Sequence, residues 1–414
     1  MSDRRRAVIT GLGAITPIGL DVSTFWAAAL AGKSGVSTIS NFDTEGHTVT
    51  VAGEIKDFVP GDWMDPKEAK RIDRFTQFAI AASGQAVKDS GLDLASLDPY
   101  RVGVVIGTGI GGIISMETQI GRLVKGGPSR VSPFLIPKLM PNAAAGNVAI
   151  RHGVQGLNLD VTTACASATH AMGEAMLAIR NNRADVIISG GTEAALSSVG
   201  VAGFANMKAL STRNDDPEGA ARPFDKDRDG FVMGEGAGGL IIEEYEHAKA
   251  RGAHIYAEIA GYGATCDAHH ITAPNPEGEV AAATMRFALD DAQLNREDVS
   301  YINTHSPSTP YGDAMECAAI TKLFGDKASQ PPVSGIKSMI GHLLGASGAV
   351  AAIAIALSIQ DGKVHPTINY NTPDPACDVD CVPNEARDLD VKVGLANAFG
   401  FGGHNGTVVI TKVD

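Results

Sequence analysis

Short runs rich in β-branched residues alternate along this chain with longer segments of small or amphipathic residues, and this alternation limits the fold more than any other feature. The short runs predict strands at 7–11, 102–107, 185–191, 238–244, 256–263, 299–305, 391–399 and 406–412. The longer segments predict helices at 66–91, 141–150, 166–182, 280–293, 311–324 and 343–360. Strands that alternate with helices form sheets covered by helices on both faces, so the sequence predicts an α/β protein.

A faint internal repeat divides the chain. The opening segment "RAVITGLGAITPIG" is echoed by "YAEIAGYGATCDAH" from residue 256, and the region around Cys165 is echoed by "PPVSGIKSMIGHLLGASGAV" at 331–350. The 414 residues also exceed the length of roughly 250–300 residues at which a single core stops growing. We therefore predict two similar α/β halves, 1–250 and 251–414, with functional residues at equivalent strand ends.

Charge and cysteine content exclude several classes of protein. The net charge of -13 argues against a nucleic-acid-binding protein, which needs a basic surface. The five cysteines are odd in number and mostly far apart, so the sequence favours free thiols in a reducing compartment. No run reaches the ~20 apolar residues of a membrane span, and glycines and a proline interrupt the apolar start of the chain. We expect a cytoplasmic protein without membrane insertion.

Two motifs resemble ligand sites but lack the required context. The sequence "GTGIGG" at 107–112 fits a dinucleotide fingerprint, yet no convincing βαβ unit and no acidic residue about 20 positions on are visible. The sequence "DKDRDG" at 225–230 copies the start of a calcium loop, but Gly236 stands where the loop needs glutamate. We expect neither motif to be a site.

The stretch "VTTACASATH" at 161–170 places Cys165 where a strand ends and a helix of small residues begins. Its position alone leaves two readings open, because a free cysteine is often a small core residue. A helix N-terminus also presents unpaired N–H groups and partial positive charge. The second reading is therefore a nucleophile whose pKa falls from ~8.5 toward neutrality.

Four spaced motifs carry a resemblance over nearly the whole chain: "TACAS" around Cys165, "NTHSPSTPYGDAMECA" at 303–318, "GIKSMIGHLLGASGA" at 335–349 and "NAFGFGGHNG" at 397–406. In this order they resemble the elongating β-ketoacyl-acyl-carrier-protein synthases of the thiolase-like superfamily. The resemblance implies a layered α-β-α-β-α fold and a decarboxylating Claisen condensation. It also implies a homodimer and an acyl carrier protein as partner, without a metal or cofactor.

The resemblance assigns catalytic roles to several residues. His305 and His342 match the histidines of a Cys–His–His triad, where they stabilise the enolate left when malonyl loses CO2. The backbone N–H groups of Cys165 and Phe401 are the expected oxyanion hole, and Phe401 the expected gate. Lys337 and Glu316 are expected to interact and orient the histidines, with Asp313 in the same acidic segment.

The same resemblance indicates residues for substrate and carrier binding. Ile110 is a candidate for the acyl pocket, Thr309 for the pantetheine arm, and His270 with Thr272 for a loop facing the gate. Phe399 is a further candidate for substrate binding, although it and Phe401 could equally be core aromatics. Acyl carrier proteins are acidic, so docking needs a basic patch, for which Lys67, Lys70 and Arg71 on a predicted helix are candidates unless they form only a solvated helix face. Lys208 occupies a position that the family uses for docking.

Three residues depart from the family pattern. Ser306 and Pro307 follow His305 where the family has Gly-Thr, so Thr309 is left to hold the pantetheine arm alone, and His404 replaces a threonine near the gate. These departures make a specialised lipid or polyketide pathway an alternative to fatty acid elongation. Further alternatives are a non-catalytic chain-length subunit, a cysteine hydrolase and a thiolase, which would need a second cysteine in the glycine-rich C-terminal region.

Overall fold

The computed structural model describes residues 4–413, which form the following elements. The strands are β1 (Ala7–Ile15), β2 (Ser37–Thr38), β3 (Val51–Ala52), β4 (Val102–Gly107), β5 (Asn158–Val161), β6 (Val186–Glu193), β7 (Gly236–Glu244), β8 (Ala257–Cys266), β9 (Tyr301–Asn303), β10 (Val333–Ser334), β11 (Lys363–Val364), β12 (Arg387–Asp388), β13 (Val393–Gly400) and β14 (His404–Thr411). The helices are α1 (Val22–Leu30), α2 (Pro66–Ala69), α3 (Arg74–Ser90), α4 (Ile113–Gly126), α5 (Leu135–Leu139), α6 (Ala143–His152), α7 (Ser167–Arg180), α8 (Ser198–Asn206), α9 (Tyr245–Ala250), α10 (Glu279–Ala292), α11 (Pro310–Phe324), α12 (Lys337–Ile340) and α13 (Ser347–Asp361).

Ten strands are joined by hydrogen bonds in the order β10-β9-β13-β14-β8-β1-β7-β6-β4-β5. The five strands before residue 250 lie on one side of this order and the five after it on the other. Within residues 4–413, the two groups of strands are joined by the pairs Val8↔Glu258 and Ile9↔Ala257 between β1 and β8. The two halves also share one strand order. If the strands of each half are numbered by their order along the chain, both halves have the order 3-2-4-5-1 from the outer edge of the sheet to its centre. The faint repeat in the sequence therefore corresponds to a repeated topology, while the division into two domains stays a prediction.

The helices form layers around these strands. Helices α7 and α13 contact strands of both halves, so they lie between them. Helices α3 and α6 pack on the first half, and α10, with α11 against it, packs on the second. This order of layers, helix, strand, helix, strand and helix, confirms the predicted fold class.

The apolar stretch Leu344–Asp361 is long enough to cross a membrane, but 89% of it is buried inside the fold. It contains α13, which packs against α7 and against strands of both halves. This stretch is a central core helix.

The predicted helix over 66–91 is wrong as a single element. It consists of α2 and α3, because Asp73 interrupts it and caps α3 by accepting the Phe75 N–H at 3.4 Å. The other oxygen of Asp73 accepts the Ser115 N–H at 2.9 Å, which ties this break to the first turn of α4. The buried Asp73 carboxylate therefore caps α3 and also binds the first turn of α4.

Helix α4 was missed by the sequence analysis, and it follows β4 directly after "GTGIGG". The expectation that no convincing βαβ unit follows this motif is therefore wrong, because β4 leads into a helix and pairs in parallel with β5. However, the N–H groups of Gly109 and Ile110 already donate to Glu193, at 2.7 and 3.3 Å. A phosphate would need such N–H groups to be free.

Candidate active site

Cys165 lies in a 3-10 turn, Ala164–Ala166, that leads into α7. The turn is tight, because Ala164 has a positive φ of 49° and the Ser167 hydroxyl donates to the Ala164 carbonyl at 2.6 Å. The same hydroxyl oxygen accepts the Thr163 N–H at 2.8 Å. These bonds hold the sulfur in front of the first turn of the helix, and Cys165 is 8% exposed.

The His342 ring faces this sulfur, with Nε2 3.0 Å from Sγ of Cys165. Its Nδ1 accepts the Leu344 N–H at 3.2 Å and lies 2.9 Å from the Ser347 hydroxyl. A neutral imidazole carries one proton, so a ring that accepts at Nδ1 carries it on Nε2. Burial and the Lys337 charge lower the His342 pKa well below its ordinary value, which keeps the ring neutral.

His305 lies beside His342, with ring centroids 5.2 Å apart. Its pKa is also lowered, by burial first, then by the Lys337 charge and by the nearby His342 ring. Single donor atoms of Cys165, His305 and His342 all lie within 4.8 Å of one another. Such a cluster is compact enough to hold a metal ion, so the expectation of a metal-free site stays a prediction.

The loop that carries His305 is fixed through its backbone by Glu316. The two carboxylate oxygens accept the N–H groups of His305 at 2.9 Å and Ser306 at 2.7 Å, and Asn397 donates to one of them at 3.1 Å. Glu316 on α11 thereby positions the histidine without touching its ring.

The expected interaction between Lys337 and Glu316 is not a direct ion pair. No contact within 4.0 Å joins their charged groups among residues 4–413, and Nζ of Lys337 donates to the Thr304 carbonyl at 3.5 Å instead. Burial lowers the Lys337 pKa to about 8, while the charges of Glu316 and Cys165 act in the opposite direction. Asp313 accepts the N–H groups of Ser308 and Thr309 and stands 3.8 Å from Nε of Arg228.

The predicted low pKa of the Cys165 thiol is wrong for this resting structure. Burial raises its pKa to about 11, although the Lys337 charge and the N–H groups of Phe401 and Cys165 lower it. The resting group is therefore a neutral thiol. The groups that surround it are the ones that stabilise negative charge on the sulfur or on an oxygen placed beside it.

The glycine-rich loop after β13 brings the second oxyanion-hole candidate to the cysteine. A Cβ on Gly400 would lie 3.0 Å from the Cys165 backbone nitrogen and 3.1 Å from the Thr163 carbonyl oxygen, so glycine favours this close approach. The loop turns at Gly402 and Gly403, whose φ values of 81° and 75° favour glycine, and the His404 ring lies beside Gly402. The Phe401 ring stands 6.3 Å from the Phe204 ring, centroid to centroid.

A cavity of about 540 Å³ opens onto Cys165, His305 and His342. Most of the residues predicted for the site line it, namely Cys165, His305, His342, Phe399, Phe401, Ile110, Thr309, Thr272 and Lys208. His270 is not among the lining residues: it is exposed, and its Nδ1 accepts the Thr272 N–H at 3.1 Å. Pro307 also lines the cavity, so one departure from the family pattern faces the substrate space.

The basic residues predicted for docking are all exposed. Lys67 lies on α2, Lys70 and Arg71 follow it, and Lys208 follows α8 at the edge of the cavity. The Arg71 guanidinium stands over the Phe134 ring at 5.4 Å. These positions are compatible with docking, and the role stays a prediction.

Glu193, the last residue of β6, is a site candidate that was not predicted from the sequence. It is fully buried and accepts from Thr108, Gly109, Ile110 and Gly345. Burial raises its pKa to about 7, against the effect of these donors. A lone glutamate after "VIISGGT" gives no sequence signal, because its donors come from two distant parts of the chain.

Known proteins resemble this chain over its full length. The family model "Beta-ketoacyl synthase, N-terminal domain" matches residues 4–248, and "Beta-ketoacyl synthase, C-terminal domain" matches 256–371. The chain is 53% identical over 414 residues to 3-oxoacyl-[acyl-carrier-protein] synthase 2 of Staphylococcus aureus, covering 100% of both chains. It is 50% identical over 410 residues to the protein of that name from Synechocystis, covering 99% of both.

Two solved structures share its fold. The ishigamide ketosynthase/chain length factor has a TM-score of 0.94 at 37% identity, covering 99% of this chain and 100% of that one. A type II PKS ketosynthase bound to the hexaketide, in complex with its acyl-carrier protein, has a TM-score of 0.93 at 37% identity, covering 100% of both chains.

Proposed function

The chain belongs to the beta-ketoacyl synthase family, and on this premise we propose that it elongates fatty acyl chains by decarboxylating Claisen condensation. It is an acyltransferase of the 3-oxoacyl-[acyl-carrier-protein] synthase 2 type. The observation that carries the proposal is the 3.0 Å contact between Sγ of Cys165 and Nε2 of His342, with His305 beside them at one cavity.

In the first step, Cys165 accepts the acyl group from a carrier thioester. The sulfur attacks the carbonyl carbon, and the N–H groups of Cys165 and Phe401 hold the resulting oxyanion. The bond to the carrier sulfur breaks, and the proton of the Cys165 thiol leaves with the carrier thiol. A thiol whose pKa is near 11 is a weak nucleophile at neutral pH, so this step depends on the donors that hold the oxyanion.

In the second step, malonyl-acyl-carrier protein enters with its thioester oxygen between the two imidazoles. The Nε2 proton of His342 points into the site, and the neutral state of both rings leaves them as donors rather than acids. The carbon–carbon bond to the carboxylate breaks, CO2 leaves, and the electron pair becomes an enolate stabilised by these donors.

In the third step, the enolate carbon attacks the acyl-Cys165 carbonyl. The same backbone N–H groups hold the tetrahedral oxyanion, and collapse of that oxyanion releases the sulfur as a thiolate. The Lys337 charge favours that thiolate, and uptake of one proton from water restores the neutral thiol. The product is a 3-oxoacyl-acyl-carrier protein that is two carbons longer than the starting acyl chain.

We further propose that the protein acts as a cytoplasmic homodimer. The five described cysteines are free, which fits a reducing compartment. Strand β5 lies at the edge of the sheet with Leu159 41% exposed, and α4 exposes Ile120, Leu123 and Val124. An open strand edge and an exposed apolar helix face are each features that favour pairing with a second copy.

The acyl carrier protein is proposed as partner because one similar structure is a ketosynthase in complex with such a carrier. Acyl carrier proteins are acidic, and this chain is acidic overall, so docking needs a local patch of positive charge. The exposed side chains of Lys67, Lys70, Arg71 and Lys208 offer such charge.

The test mixes the purified protein with malonyl-acyl-carrier protein and a ladder of acyl-carrier proteins, and products are read by mass spectrometry. We expect CO2 release and 3-oxoacyl products two carbons longer than each accepted substrate, both absent for Cys165→Ala. Loading without elongation, or steady hydrolysis of the acyl thioester, would contradict the proposal and favour a cysteine hydrolase.

A ketosynthase of a specialised pathway is the second candidate. The similar structures include a polyketide ketosynthase, and Pro307 faces the cavity where the family has a hydroxyl. Repeated extension of one substrate with its keto groups retained would favour this candidate. A thiolase is not supported, because Cys165 is the one cysteine among the described lining residues.

A further inference from the structure

Glu193 joins two loops that approach the active site from opposite halves of the molecule. Its Oε2 accepts the N–H of Gly109 at 2.7 Å and the N–H of Gly345 at 3.0 Å. Gly109 follows β4 in the first half, and Gly345 lies in the turn between His342 and α13 in the second. One carboxylate oxygen therefore bridges the acyl-pocket loop and the histidine loop.

The other oxygen strengthens the first of these loops. Oε1 accepts the Thr108 hydroxyl at 3.0 Å and the Ile110 N–H at 3.3 Å, and Ile110 lines the cavity. Glu193 is fully buried, and no cation lies within 4.0 Å of it among residues 4–413. A buried carboxylate without a cation depends on its hydrogen-bond donors, so displacement of either loop is costly.

The two loops are in backbone contact at this point. A Cβ on Gly345 would lie 2.2 Å from the Gly109 nitrogen, and one on Gly109 would lie 2.8 Å from Oε2 of Glu193. Both positions therefore need glycine for close approach. The carboxylate fills the space beside this contact and fixes the distance between the loops.

The histidine loop sets the proton position on the catalytic ring. Leu344, which directly precedes Gly345, donates its N–H to Nδ1 of His342 and thereby leaves the proton on Nε2. Leu344 has a positive φ of 46°, so the turn is held in a conformation that leucine rarely adopts. The bond from Gly345 to Glu193 is one of the contacts that hold it.

We infer that Glu193 is a positioning residue for condensation, which holds the acyl-pocket loop and the turn after His342 in one fixed arrangement. This inference deepens the proposed function and rests on it. Glu193 does not line the cavity, so it acts on His342 through Gly345 and Leu344. Its loss is therefore expected to lower the rate of the step that uses Nε2–H while leaving carrier binding unchanged.

The test compares Glu193→Gln with wild type in malonyl decarboxylation, with rates divided by the number of Cys165 sites that take up an alkylating label. The glutamine amide has one acceptor oxygen, so either the donors to Oε1 or the donors to Oε2 lose their partner. We expect kcat to fall on the order of 10- to 100-fold, as for a misplaced catalytic group, with KM for malonyl-carrier protein within about 3-fold.

Glu235→Gln is the matched control, because Glu235 is also buried near a strand end but pairs with Arg74 at 2.7 Å. It is expected to lower thermal stability and to leave kcat per site unchanged. Thr108→Val removes one donor and keeps the carboxylate, so kcat is expected to fall only a few-fold. If Glu193→Gln does not fold, the kcat of Thr108→Val tests the inference instead.

Unchanged kcat per labelled site in Glu193→Gln, or in Thr108→Val where the first does not fold, would overturn the inference. Wild-type decarboxylation and elongation in the same assay test the proposed function itself. A failure of the Glu193 inference can therefore be distinguished from a failure of the proposed function.

Discussion

Gly348 lies against Thr169 so closely that a Cβ on it would stand 2.2 Å from the Thr169 hydroxyl oxygen and 2.9 Å from its backbone nitrogen. Gly348 is in the first turn of α13 and Thr169 in the first turn of α7. Cys165 and His342 lie just before these two helices. The close approach of the helix starts is therefore what brings the sulfur and the imidazole together.

Gly348→Ala is expected to separate these helix starts. Overpacking a buried contact costs about 1–3 kcal/mol, so the free energy of unfolding should fall by that amount and elongation should weaken. Gly84→Ala on α3 is the matched control, because a Cβ there meets nothing within 4 Å. Denaturant unfolding measures both, and equal stability of the two variants would refute this account of the contact.

The raised pKa of Cys165 predicts slow alkylation at neutral pH. Because the pKa lies near 11, the thiolate fraction is small at pH 7 and the labelling rate should rise about tenfold per pH unit up to about pH 10. Iodoacetamide labelling with mass spectrometry measures this rate in a Cys266→Ser background, since Cys266 is exposed. A plateau reached below pH 8 would show instead that the helix N-terminus outweighs burial.

Glu316→Gln is expected to slow malonyl decarboxylation more than acyl loading. The amide keeps one acceptor, so the backbone of His305 or of Ser306 loses its partner and the imidazole shifts. We expect a fall on the order of 10- to 100-fold in decarboxylation, and a fall of a few-fold at most in loading. Glu297→Gln, an exposed residue, is the control. Equal losses in both steps would show that Glu316 maintains the fold rather than the position of His305.

Lys70→Glu tests docking of the carrier protein. An exposed basic residue that attracts an acidic partner changes association, so KM for acyl-carrier protein should rise several-fold at low salt, and less at high salt. KM for an acyl-pantetheine without the carrier should not change. Lys363→Glu, exposed in the second half of the chain, is the control. The same rise in both variants would point to a general effect of charge rather than to a docking surface.

The sequence predicted the fold class because period and composition alone separate strands from helices, and it predicted Cys165, His305 and His342 because each lies in a spaced motif. It did not predict the broken helix at Asp73, whose side chain finds its second partner on α4. The predicted direction of the Cys165 pKa shift was wrong. The helix N-terminus that lowers the pKa can be recognised in the local sequence, whereas the burial that outweighs it arises only when both halves pack together.

Three variants test the central claim, that one sulfur and two neutral imidazoles share the work of condensation. Acyl loading and malonyl decarboxylation are measured separately for Cys165→Ala, His305→Ala and His342→Ala. The account predicts that loss of the sulfur abolishes loading, while loss of either imidazole lowers decarboxylation far more than loading. Equal loss of loading in all three variants would contradict it.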